Sequence, residues 1–93
     1  MATLLERTRA YLEDPKHWTK GEMFRDRFGS ACKREDAVCA CLLGAVAIAG
    51  KGMTNPDYRA ARGALPDDVT VINDDPNTTH ADVLALLDKV IAS

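Results

Sequence analysis

The sequence has no apolar run long enough to cross a bilayer. Its longest uncharged stretch, Ala37 to Gly50, is 14 residues, where a spanning helix needs about 20. It lacks the start of a secretory leader, because Glu6 and Arg7 interrupt the apolar beginning after two leucines. It lacks an even set of cysteines: Cys32, Cys39 and Cys41 are three, which does not close a disulfide framework. Free thiols in a reducing, cytoplasmic setting are therefore expected. There is no G-x-x-x-x-G-K-[ST] and no G-x-G-x-x-G, so the standard phosphate and dinucleotide loops are excluded. There is no basic excess either. The net charge is −2 and the pI about 5.6, against a pI above about 9 for a typical nucleic-acid-binding domain.

What is present is the composition of a small globular domain, 46% hydrophobic and 28% charged. Ninety-three residues make one domain, 1–93, with a small core. Charge is segregated along it. Residues 1–34 carry eight Lys/Arg and five Asp/Glu, while residues 66–93 carry six Asp and one Lys. The basic group Lys16, Lys20, Arg25, Arg27, Lys33 and Arg34 reads either as a solvated face attracted to the chain's own acidic third or as a partner surface.

Leu4, Leu5, Thr8, Tyr11 and Leu12 share one side of a helix over 3–13, which Asp14-Pro15 ends. Residues 16–34 are less regular. Asp26 to Gly29 suits a type I turn, and a hairpin with arms near 20–25 and 30–33 is expected, a short helix over Gly21–Phe28 being the other reading. Glu35 and Asp36 open an uncharged run read as a buried central helix over 35–50. Gly44, costly in mid-helix, implies close approach of another backbone there. Asn55 as N-cap and Pro56 after it open a short helix near 56–64. Val69 to Ile72, all but Thr70 aliphatic and every one β-branched, reads as a strand pairing with the hairpin. Asn73 to Thr79 is turn chemistry, in which Asn73 and Asp74 would bond local amides and fix the entry to the last helix. Thr79 and Asp82 then form a capping box for a helix over 80–92. The expected fold is α+β, mainly α: a three-helix core around the central helix, covered by the short helix and a small β-hairpin or sheet.

The chemistry-bearing residues carry no signature. Cys32, Cys39, Cys41, His17 and His80 are the available zinc ligands, but Cys39 and Cys41 diverge by about 200° on a helix, so they read as small core residues and no metal is expected. The same residues, with Asn73 and Asp74, lack a local cysteine-protease motif. Asp67, Asp68, Asp74 and Asp75 lack the glycine and glutamate of an EF-hand and read as turn carboxylates. No cofactor is expected. Trp18 is the one tryptophan and is read as closing the hairpin over the central helix.

The order Trp18-x-x-Gly21, Gly29, Cys41-Leu42-Leu43-Gly44-Ala45, Asn73-Asp74, and Thr79 with Asp82-Val83 resembles a family of small proteins of unknown function from actinobacteria and their phages. The resemblance covers about residues 4 to 91. It implies a compact, mostly helical domain and no reaction. Two function classes follow. The first is a non-catalytic interaction protein, binding a host protein if phage-borne, or pairing with a second copy. The second is a small-ligand or nucleotide-binding protein, its pocket between the hairpin and the Asn73–Asp75 turn with arginine holding an anion; a cysteine enzyme ranks third. The candidate binding residues are Trp18, Lys20, Arg25, Arg27, Phe28, Asn73 and Asp74.

Overall fold

In a computed structural model, which describes residues 3–93, the first helix begins with a reciprocal cap. Thr3 Oγ1 accepts from the Glu6 amide at 3.2 Å and the Glu6 carboxylate accepts from the Thr3 amide at 3.1 Å. These bonds hold the Glu6 carboxyl below its ordinary range. The helix, α1, runs Leu4–Leu12. Leu4, Thr8 and Leu12 point inward at four-residue spacing, and the Thr8 hydroxyl is satisfied by the Leu4 carbonyl at 2.8 Å. Asp14 accepts from the Lys16 amide and starts a 3₁₀ turn, Pro15–His17.

The turn at Asp26–Gly29 forms as expected. The Gly29 amide donates to the Asp26 carbonyl at 2.9 Å, and Gly29 takes φ +80°, open to glycine at no steric cost. The expected hairpin forms only beside the turn: the Asp26 amide donates to the Ser30 carbonyl at 2.9 Å, the Cys32 amide to the Phe24 carbonyl at 3.3 Å, and Arg25 bridges Ala31. The ladder lies elsewhere. β1, Phe24–Arg25, pairs antiparallel with β2, Cys39–Ala40, in register Phe24 with Ala40 and Arg25 with Cys39.

That pairing corrects the central helix. It runs Leu42–Ala49 (α2), not 35–50. Glu35 and Asp36 sit in a 3₁₀ turn, Arg34–Asp36, and the first part of the apolar run is extended. An uncharged run fits a buried strand as well as a buried helix. Here backbone bonds from Val38 to Arg25 at 2.9 Å and from Cys41 to Met23 at 3.2 Å hold it extended. The second correction is Val69–Ile72, which is no strand but the body of α4, Val69–Asp74. A strand would put Val69 and Val71 on one face. Val69 is instead 1% exposed and Val71 68%, while Asn73, one turn on from Val69, is 1% exposed. Burial at helical spacing overrides a β preference worth about 1 kcal/mol.

The remaining helices are α3, Asn55–Ala64, and α5, His80–Ala92. Thr54 rather than Asn55 caps α3, its amide and hydroxyl both donating to Asp57. Thr79 and Asp82 cap α5 reciprocally. The structure is α+β and mainly α. α1, α2 and α5 form the core with Leu12, Leu42, Val83 and Leu87 at its centre, and α3 and α4 add Ala61, Leu65 and Val69. Gly44 lets the β1 approach lie directly on α2: a Cβ there would collide with the Met23 carbonyl oxygen and reach the Ala40 Cβ at 2.9 Å. The close neighbours are the Met23 backbone just before β1 and the Ala40 side chain of β2, as the glycine implied. No helix among the described residues is long and apolar enough to cross a membrane.

Candidate functional site

α4 delivers Asn73 to the interior, where every polar atom of its amide is matched. Its Oδ1 accepts from Trp18 Nε1 at 2.7 Å and from the Leu42 amide at 3.1 Å. Its Nδ2 donates to the Thr19 carbonyl at 3.1 Å and to Asp74 Oδ1 at 2.9 Å. Leu42 is the first residue of α2, so Asn73 takes one of the amides that a helix start leaves without an internal partner. Cys41 takes another: its Sγ accepts from the Gly44 amide at 3.4 Å. The cap of α2 is thus shared by its own neighbour and by a residue 31 positions away.

This corrects the local role expected of the Asn-Asp pair. Neither residue fixes the entry to α5, which Thr79, Asp82 and an Asp75 bond to the Asn77 amide accomplish. Asp74 reaches instead to the other end of the chain, accepting from the Gly21 amide at 3.0 Å. That bond, then the Asn73 amide and the Lys20 charge, hold its carboxyl below the usual aspartate range. Lys20 lies 5.5 Å over the Trp18 ring and donates to the Asp75 carbonyl at 2.6 Å. Trp18 is half-buried against the core, with its ring 6.0 Å from His80.

The two arginines of the basic arm differ. Each nitrogen of Arg25 is engaged: Nε donates to Thr19 Oγ1 at 2.9 Å, Nη1 to the Gly29 carbonyl at 2.8 Å and Nη2 to the Lys20 carbonyl at 3.0 Å. It ties residues 19–20 to the turn. Arg27 makes no such bonds among the described residues and lies 4.9 Å from the Phe28 ring. Phe28 is 78% exposed at the tip of the turn. Asp26 Oδ1 accepts from the Phe28 and Ser30 amides, which fixes the tip backbone. Phe28, Arg27, Asp26, Asp36 and Val38 line one open concavity of about 270 Å³.

A second concavity, about 220 Å³, opens between Gly21–Met23 and α4. Glu22, Met23, Cys41, Leu43, Thr70 and Asp74 line it, with no arginine. Burial pushes the Cys41 thiol up, and desolvation followed by Asp26 and Asp36 does the same at Cys32. Neither is an activated thiolate at neutral pH. His17 Nδ1 donates to the Tyr11 carbonyl and His80 Nε2 to that of Leu12, and neither bonds a cysteine among the described residues. Cys39 lies in β2 and Cys41 at the α2 cap, so the helical geometry expected of them does not apply. Among the described residues no group of three or more His, Cys, Asp or Glu is placed to hold a metal ion.

A protein-family model, described as a family of unknown function, matches residues 1–93 from end to end. The chain belongs to DUF6197. No curated protein and no solved structure matches it.

In this DUF6197 chain the candidate residues fall into two groups. Trp18, Lys20, Asn73 and Asp74 come together around the α2 start, and Arg27 and Phe28 stand apart at the turn, with Arg25 as the tie between them. Sequence reasoning missed the Cys41 cap, Thr19 and the Glu22, Met23 and Thr70 lining. A cap at Cys41 was legible only if the helix start had been placed there. The Glu22 and Thr70 positions carry no signal at all, since only the tertiary fold brings them side by side.

Proposed function

We propose that the protein is a non-catalytic binding protein that docks another protein on its 26–38 loop. The observation that carries this is Phe28, a large apolar side chain 78% exposed on a backbone that Asp26 and Arg25 hold in place. A fixed, exposed aromatic loses little freedom on binding and is a typical anchor. Val38, also exposed, lines the same concavity, and Arg27 is the one cation among its lining residues, beside Asp26 and Asp36. The matching partner surface is an apolar pocket for the Phe28 ring with a carboxylate placed for Arg27. The net charge of −2 and the acidic last third disfavour nucleic acid.

The resemblance in the C-L-L-G-A and Asn-Asp stretches supports an actinobacterial or phage source; in a phage, the partner would be a host protein. Three cysteines without a partner support a reducing, cytoplasmic setting.

The test is site-specific photocrosslinking in the native host, with a photoreactive phenylalanine analogue at position 28 or, as control, at exposed Arg59 on α3. One protein captured from position 28 and lost with Arg27→Glu is the expected result. Identical captures from both positions, or none, overturn it.

A further inference from the structure

The concavity between Gly21–Met23 and α4 has a definite chemical sign. Its two charged lining groups are both carboxylates, Glu22 and Asp74, and its walls are the side chains of Met23, Leu43 and the uncharged Cys41. Asp74 is oriented: Oδ1 is fixed by the Gly21 amide and by Asn73 Nδ2, and Oδ2 makes no bond among the described residues. Glu22 and the Thr70 hydroxyl likewise have no partner among them. Lys20, the cation whose charge bears on Asp74, is not ion-paired with it; its ammonium sits on the Asp75 carbonyl and the Trp18 ring. Two exposed carboxylates that make no ion pair among the described residues and an exposed hydroxyl therefore border an open hollow of about 220 Å³.

An anion is disfavoured there by like charge, so a nucleotide phosphate does not suit this hollow. A metal ion would gain nothing from the apolar walls and would lack ligands among the described residues. An alkylammonium group satisfies both parts: three N–H donors for carboxylate and hydroxyl oxygens, and an aliphatic stem for Met23 and Leu43. From this juxtaposition we infer that the hollow is a binding site for a primary ammonium group on an aliphatic chain, either a small free amine or a lysine side chain of another protein. This site is separate from the Phe28 loop, and neither reading depends on the other.

The test is a titration of the full chain with n-butylammonium chloride, followed by amide ¹H–¹⁵N shifts. Saturable shifts at Gly21, Glu22, Met23, Thr70 and Asp74, absent with sodium butyrate and weak with tetramethylammonium chloride, are expected. Glu22→Gln, at an exposed position with no structural bond, weakens the affinity by about two- to fivefold, as for an exposed charge pair. Asp74→Asn, which keeps an oxygen for the Gly21 amide, weakens it as well. A parallel titration with Nα-acetyl-lysine amide separates the sources. Binding as tight as butylammonium supports a lysine of a partner, and binding of butylammonium alone supports a small amine. Shifts that never saturate, equal shifts with butyrate, or an affinity unmoved by both substitutions overturn the inference.

Discussion

The Trp18 indole donates to Asn73 Oδ1 at 2.7 Å, joining two side chains 55 positions apart. With the bonds from Asn73 to Thr19, from Gly21 to Asp74 and from Lys20 to Asp75, that bond holds the irregular N-terminal segment against α4, and the same oxygen caps α2. Removing the amide leaves the Trp18 and Leu42 N–H groups and the Thr19 carbonyl without partners. Each costs about 1–3 kcal/mol when buried. Asn73→Ala is expected to lower stability by about 2–4 kcal/mol in urea denaturation. Trp18→Phe should cost less, and the double variant should cost less than the sum of the two, because the singles share a partner. Strict additivity would show that the bond contributes nothing.

Asp74 gives a pH signature. Its folded carboxyl lies below the value it has in the unfolded chain, so the unfolded state binds its proton first as pH falls. The contribution is complete above the ordinary aspartate range of about 4 and is lost as pH drops through the folded value. Glu6, lowered by its Thr3 bonds, adds in the same direction. Denaturation midpoints of Asp74→Asn and the parent chain should therefore differ at pH 7 and draw together as pH falls below the ordinary aspartate range. A constant difference would remove Asp74 from the acid response.

Gly44→Ala separates local preference from packing. Helix propensity alone favours alanine by about 1 kcal/mol. The new methyl would run into the Met23 carbonyl and the Ala40 side chain, neither of which is a flexible tip. A loss of about 1–3 kcal/mol, the usual cost of overpacking, is expected. A raised melting temperature would mean that the Met23 segment yields.

Cys41 should behave as a cap and not as a reagent. Cys41→Ala removes the acceptor for the Gly44 amide and should cost about 0.5–2 kcal/mol, with Cys41→Ser costing less because its hydroxyl can take the same bond. In the folded protein the raised thiol pKa predicts alkylation slower than that of a free cysteine at pH 7. Urea denaturation reads the stability of the variants and mass spectrometry of alkylated peptides reads the thiol; rapid modification of Cys41 would contradict the burial.

Phe28→Ala is the counterpart on the surface. With its side chain open to solvent, the change should leave the melting midpoint within about 0.5 kcal/mol of the parent. A larger loss would show that the ring is structural and would weaken its reading as an anchor.

The sequence was most readable where partners are close in the chain. Thr79 with Asp82, the stripe of α5, the Asp14-Pro15 stop and the Asp26–Gly29 turn all involve groups within a few residues of one another, and all appear as read. Val69–Ile72 misled because four β-branched residues signal a surface to pack on, and α4 meets that need with Val69 alone. Ala37–Cys41 misled because an apolar run has no period to distinguish strand from helix, and the deciding bonds come from Met23 and Arg25. Asn73 and Asp74 were picked out as candidates. Their partners, Trp18, Thr19 and Gly21, were beyond local reasoning, since nothing in a turn-forming pair says which distant amide it will meet.

The divided cap on α2 also has a bearing on synthesis. The Leu42 amide waits for an acceptor 31 residues downstream. At about 5–20 residues per second on a ribosome, the delay is about 2–6 seconds. For that interval the most apolar helix of the chain has left the tunnel with its first turn incompletely bonded. The arrival of α4 supplies that acceptor, and the core closes only when Val83 and Leu87 of α5 follow it.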